Sequence, residues 1–151
     1  MDEEPLKRLI VQVILGLDCL HKINVTHRDL KPQNILIFED GRVKLSDFGL
    51  SKRINSTLSK LKTMSGYGTL GFMAPEISGT VRGAKPQPFK TDIYSLGLTF
   101  YYMMTMQFVD SEDLFRKTIP FPEGYSQCLI DFVYFLLKRQ PSERPNIDEV
   151  L

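Results

Sequence analysis

Within eight residues, His27-Arg28-Asp29-Leu30-Lys31-Pro32-Gln33-Asn34 offers a carboxylate, an ammonium, a guanidinium and a carboxamide. A second carboxylate follows in Asp47-Phe48-Gly49, thirteen residues beyond Asn34. Its glycine leaves the backbone free to turn. Two carboxylates, one ammonium and one amide converging on one spot suit a metal-bound polyphosphate and a hydroxyl that attacks it. Each part alone has an ordinary reading. Asp29 can cap a turn, Asn34 can bond local backbone, and Asp47 can end a hairpin. Their order and spacing together favour the chemical reading.

Convergence requires a device that folds the chain back between Asn34 and Asp47. Ile35-Leu36-Ile37-Phe38 and Val43-Lys44-Leu45 are short apolar runs of strand formers, separated by Glu39-Asp40-Gly41-Arg42. Asp-Gly is a strong hairpin signal. A hairpin here brings Asn34 and Asp47 together from its two ends. Two such oxygen ligands can share a hard cation such as Mg²⁺, which takes few protein oxygens and completes its shell with phosphate.

The surrounding elements read as helices. Leu6, Leu9, Ile10, Val13, Ile14, Leu17 and Leu20 recur at helical spacing from Leu6 to His21, after an acidic start and Pro5. Ser78 to Lys90 holds two Gly and two Pro and reads as loop. Thr91-Asp92 then opens a helix apolar nearly all round, with Ile93, Leu96, Leu98, Phe100, Tyr101, Met103 and Met104. Such a helix is expected at the centre of a bundle, with Asp92 capping its start and accepting backbone N–H groups. Shorter helices are expected over Ser111–Lys117 and Ser126–Lys138, and a last one begins at Ile147. The latter of the two short helices would bury Leu129, Ile130, Val133, Leu136 and Leu137. The methionines and the Tyr-Phe cluster read as core filling.

The chain has 151 residues, which suits one core. A 42% hydrophobic content is that of a globular chain. Nineteen basic and 18 acidic residues give a formal charge of +1, so nothing drives general binding to nucleic acid or anionic membrane. Cys19 and Cys128 lie far apart in apolar stretches and are expected to be buried free thiols. No apolar run is long enough to span a bilayer and no secretory leader opens the sequence. The cytoplasm, or the nucleus, is the expected location.

The two motifs, followed by Ala74-Pro75-Glu76, resemble the catalytic loop, magnesium loop and Ala-Pro-Glu turn of eukaryotic protein kinases. Lys31 two residues after Asp29 is the serine/threonine form of that loop. The resemblance implies a mainly α fold: a kinase-like C-terminal lobe over residues 1–151, with a small hairpin at the catalytic loop and no N-terminal β-lobe. It implies ATP and Mg²⁺ as cofactors and a protein as substrate. Asp29 would take the proton of the substrate hydroxyl, and Lys31 would neutralise charge on the transferred phosphoryl. Asn34 and Asp47 would hold the metal, and Leu36 would lie under the adenine. Thr69 would bond Asp29 and Lys31, Asp92 would brace the catalytic loop, and Arg144 of Ser142-Glu143-Arg144-Pro145 would pair with Glu76. Phe72 and Tyr94 stand where the family often has Tyr and Trp.

By the same resemblance, residues 47–76 form the activation segment. Its stretch from Leu50 to Met73 has no clean period and is rich in Ser, Thr, Lys and Gly, as long functional loops are. Ser65, then Thr63, are the candidate sites for an upstream kinase, with Arg28 as the residue that would pair with the added phosphate. Lys52 and Arg53 either add charge for that phosphate or are ordinary solvated residues. Gly66-Tyr67-Gly68-Thr69-Leu70-Gly71 fits a nucleotide-loop pattern by letter but lies inside this segment, between no strand and no helix. No glycine-rich loop or strand lysine precedes the first helix. The alternative expectation is therefore a catalytically inactive lobe or pseudokinase that acts as a protein-interaction module. The face that an upper lobe would cover should be exposed and apolar.

Overall fold

A computed structural model describes residues 2–54, 69–79, 83, 85–109, 111–116 and 119–151. The first helix, α1 (Glu3–Lys22), starts with acidic residues and Pro5 in its first turn and ends on His21 and Lys22. Both ends thus complement the helix dipole. Leu6, Leu9, Ile10, Val13, Ile14 and Leu17 form the buried stripe, as their spacing predicts. Asp18 is buried at its edge and pairs with Lys22 at 2.6 Å. Asn24 adopts φ 57° and turns the chain out of the helix, a conformation that Asn tolerates better than most residues.

Two small antiparallel sheets follow. β1 (Val25–Thr26) pairs with β4 (Lys52–Arg53), and β2 (Ile35–Ile37) pairs with β3 (Val43–Leu45). The β2–β3 hairpin is the expected one, with Gly41 at φ 80° in its turn. Lys52 and Arg53 form a two-residue strand in which Arg53 is exposed and Lys52 half-buried. The Lys52 carbonyl also accepts the Thr26 hydroxyl at 3.2 Å.

α2 (Pro75–Ser78) is a single turn that buries Pro75, Glu76 and Ile77. The central helix, α3 (Pro88–Thr105), starts three residues before the predicted Thr91, with proline in its first turn. Asp92 is therefore one turn too deep to cap it. Every residue from Thr91 to Tyr101 is buried, as an all-round apolar helix requires. α4 (Ser111–Phe115), α5 (Gln127–Leu136) and α6 (Ile147–Val150) follow; α5 packs on α3 and α6 on α1. α4 ends before the predicted Lys117, and α5 is trimmed to leave Ser126 outside as its cap, the Oγ accepting Leu129 N–H at 3.3 Å. α3 and α5 approach closely at Gly97, where an added Cβ would stand 2.8 Å from the Leu137 side chain. The Glu3 carboxylate accepts the Ser126 N–H and Oγ–H, which ties α1 to α5.

The helical lobe matches the expected fold class. Two expectations about the core do not hold. Cys19 and Cys128 are exposed rather than buried. Cys19 falls on the outer face of α1 with Val11 and Leu15, and Cys128 precedes the buried Leu129 of α5. Apolar neighbours in sequence do not bury a residue when the helical phase turns it outward. Nor is the Met, Tyr and Phe set all core filling: Met104 is buried, but Met106 and Phe108 are exposed.

Candidate active site

The residues from Val25 to Asn34 run from the end of α1 to the start of β2. Leu30 anchors this loop, with no exposed surface, in the core. His27 is also fully buried. Its Nδ1 accepts the Asp29 N–H at 3.3 Å and its Nε2 lies 3.0 Å from the Ser46 carbonyl. That pair of contacts assigns the ring proton to Nε2, as donor to Ser46. Below the loop, the Asp92 carboxylate accepts His27 N–H at 2.8 Å and Arg28 N–H at 2.9 Å. His21 Nε2 lies 2.9 Å from the same carboxylate. Arg28 is thereby held at φ 71°, a left-handed conformation costly for a residue with a Cβ.

Asp29 is the hub. Its Oδ2 lies 2.7 Å from Lys31 Nζ and accepts the Asn34 amide at 3.2 Å. Its Oδ1 accepts both the N–H and the hydroxyl of Thr69, at 3.1 and 3.2 Å. Lys31 Nζ also donates to Thr69 Oγ1 at 2.7 Å. Burial pushes the Asp29 carboxyl up, but the Lys31 ammonium and the Thr69 donors outweigh it. Together they hold the group below the usual carboxylate range.

Asn34 closes the single turn Pro32–Asn34 and is buried. Its Nδ2 donates to the Asp29 carbonyl at 2.8 Å as well as to the side chain. The amide nitrogen is thus committed, and the remaining polar atom of the side chain is a hard oxygen. The Asn34 carbonyl accepts Ser46 N–H at 2.9 Å across the mouth of the hairpin. Asp47 is the next residue, exposed, at φ 60°, with its Oδ1 accepting Gly49 N–H at 3.3 Å. The hairpin thus joins Asp29, Asn34 and Asp47 into one locality. Among the described residues no group of three or more His, Cys, Asp or Glu side chains could hold a metal alone. An amide oxygen and a carboxylate fit Mg²⁺, which draws its other ligands from phosphate and water. Leu36, on β2, is 45% exposed.

Ala74-Pro75-Glu76 enters the core through a buried ion pair. Arg144 Nη1 and Nη2 meet the two Glu76 oxygens at 2.7 and 2.6 Å, and neither side chain is exposed. Arg144 also donates to the carbonyls of Lys138, Arg139 and Lys90 and lies over the Tyr94 ring at 4.6 Å. Thr91 Oγ1 donates to Glu76 at 3.1 Å. Ser65 and Thr63 lie outside the described residues. Phe72 packs its ring edge-on against Tyr102, 5.6 Å between centroids. Two partners were not singled out from sequence: His21 on Asp92 and Thr91 on Glu76. Only their positions beside recognisable motif residues carried a signal.

A helical lobe with an Asp29 hub on one side of a hairpin and Asp47 on the other defines the C-terminal lobe of a kinase-like fold. The model of the protein kinase domain matches residues 1–151. The chain is 31% identical to serine/threonine-protein kinase Nek9 of Xenopus laevis, covering 99% of this chain and 16% of that protein. It is 34% identical to serine/threonine-protein kinase KIC1 of Saccharomyces cerevisiae, covering 100% of this chain and 14% of that protein. Developmentally-regulated protein kinase 1 of Dictyostelium discoideum is 38% identical over 94% of this chain and 20% of its own length. The chain belongs to the protein kinase family. It spans 14–20% of the length of these three relatives.

Proposed function

We propose that residues 1–151 supply the C-terminal lobe of a serine/threonine protein kinase that uses ATP and Mg²⁺. The observation that carries this reading is the closed set of bonds among Asp29, Lys31 and Thr69. The depressed carboxyl of Asp29 stays ionised at neutral pH and can accept the hydrogen bond of an incoming hydroxyl. Lys31, held beside it, offers positive charge where a transferred phosphoryl would develop negative charge. Asn34 and Asp47 would hold Mg²⁺ through their side-chain oxygens, and Leu36 would line the floor of the adenine site. ATP, when bound, supplies the phosphoryl group and the metal screens its charge. The residues present act chiefly by positioning and electrostatics.

Regulation follows from Arg28. Arg28 directly precedes the hub residue Asp29 in the chain, and a phosphate added by an upstream kinase at Ser65 or Thr63 would pair with its guanidinium. The cytoplasm or nucleus is the proposed location, read by imaging the tagged protein.

The test is transfer of labelled γ-phosphate from MgATP to a protein substrate by the protein at its native length. Label should appear on serine or threonine, and Asp29→Asn should lower the rate by about 10²–10⁴-fold. Label confined to tyrosine, or an unchanged rate in Asp29→Asn, would overturn the reading.

A further inference from the structure

The end of α1 and the starts of α3 and α6 leave an open-mouthed cavity of about 220 Å³ between them. Phe89, Ile93 and Ile147 give it apolar walls. His21 lines it too, with only 6% of its side chain exposed. The ring is fixed from two sides. Its Nε2 lies 2.9 Å from the Asp92 carboxylate, and the Phe89 ring stands against it at 4.9 Å between centroids, inclined at 70°. With Nε2 donating to Asp92, Nδ1 of the neutral ring is an acceptor. That nitrogen has no bonding partner among the described residues. The charges at the rim are already engaged. Lys22 pairs with Asp18 at 2.6 Å, Lys90 donates to the Arg144 carbonyl, and Asp148 sets a carboxylate against the two ammonium groups. What remains unspent is one neutral acceptor among apolar walls.

We propose that this cavity binds a one- or two-ring aromatic group bearing an N–H or O–H, which donates to His21 Nδ1 while its rings lie against Phe89, Ile93 and Ile147. A dry cavity of roughly 150 Å³ takes benzene, so this one has room for an indole. The site is separate from the Asp29 hub, and the inference does not rest on the kinase reading. It touches the catalytic loop through one bond. A donor on Nδ1 polarises the imidazole and strengthens the Nε2–H bond to Asp92. The same carboxylate holds the His27 and Arg28 N–H groups, so occupancy tightens the brace under the loop.

The probe is indole, compared with benzofuran, which has the same shape and no donor. Ligand-observed NMR titration of the protein at its native length should show saturable binding, with indole about three- to tenfold tighter. The methyl resonances of Ile93 and Ile147 should shift. At equal occupancy, amide exchange at His27 and Arg28 should slow more with indole than with benzofuran. Phe89→Ala should weaken both ligands, and His21→Phe should bring indole down to the affinity of benzofuran. Thermal melts identify a variant that unfolds. If His21→Phe does, Phe89→Ala and the exchange rates of the native chain carry the test. A peptide with a single Trp that binds about tenfold tighter than indole assigns the site to a side chain of a protein partner. Equal affinity of that peptide and indole assigns it to a free small molecule. Absence of saturable binding, equal affinity for indole and benzofuran, or unmoved Ile93 and Ile147 methyls overturns the proposal. Exchange at His27 and Arg28 that is indifferent to indole overturns the link to the loop.

Discussion

The carboxylate of Asp92, one turn into α3, accepts the backbone N–H groups of both His27 and Arg28, at 2.8 and 2.9 Å. Residues more than sixty positions apart in sequence are thus fastened at the point where the chain takes a left-handed step. The step aims Asp29 toward Thr69 on one side and Asn34 on the other. The buried helix therefore fixes the geometry of the hub without contributing a side chain to it.

Asp92→Ala should be among the most damaging single changes. It leaves two buried N–H donors without an acceptor, at about 1–3 kcal/mol each, and leaves His21 unpartnered. Urea denaturation should show a loss of about 3–5 kcal/mol. Asp92→Asn keeps one accepting oxygen but points an NH₂ at the second donor, so its loss should be only slightly smaller.

Breaking the Glu76–Arg144 pair should be equally costly. Arg144→Met keeps the stem but strands a carboxylate with no exposed surface. The expected loss is about 3–5 kcal/mol, read as a lower denaturation midpoint. Adding Glu76→Met should recover part of that loss, because no charge is then left buried alone.

Acid should loosen the join between α1 and α5. Lys7 first, then Ser126, hold the Glu3 carboxyl down from 4.5 to about 2. A depressed carboxyl stabilises the fold above its unfolded pKa and loses that contribution as pH falls through the folded one. The stability gap between the native chain and Glu3→Gln should therefore be full above about pH 4.5 and vanish near pH 2. A gap independent of pH across that window would remove Glu3 from the join.

Gly97→Ala should destabilise despite alanine's better helix propensity. The new Cβ meets Leu137 at 2.8 Å and the Leu136 Cβ at 3.0 Å. Overpacking of about 1–3 kcal/mol exceeds the helix gain of up to about 1 kcal/mol. Leu137→Ala in the same chain should relieve the clash, so the double variant loses less than the sum of the two singles.

Much of the fold was legible because the signals are local. The stripe on α1, the all-round apolar character of α3 and the Asp40-Gly41 turn depend on neighbours within a few residues. The misreadings came where a local signal was silent about direction. Cys19 has the right company in sequence but the wrong phase on its helix. The true start of α3 lay at a proline inside a stretch that reads as loop.

The sequence alone determined which chemical groups exist, their order, and the hairpin that returns Asp47 to Asn34. Those depend on side-chain identity and on short-range backbone preference. Family resemblance, not local preference, anticipated that Thr69 closes on Asp29 and Lys31 and that Asp92 braces the loop; that Phe108 lies on Gly71 was decided by tertiary structure alone. Each of these joins residues separated by 37 or more positions, and only burial in a common core brings such residues within bonding distance.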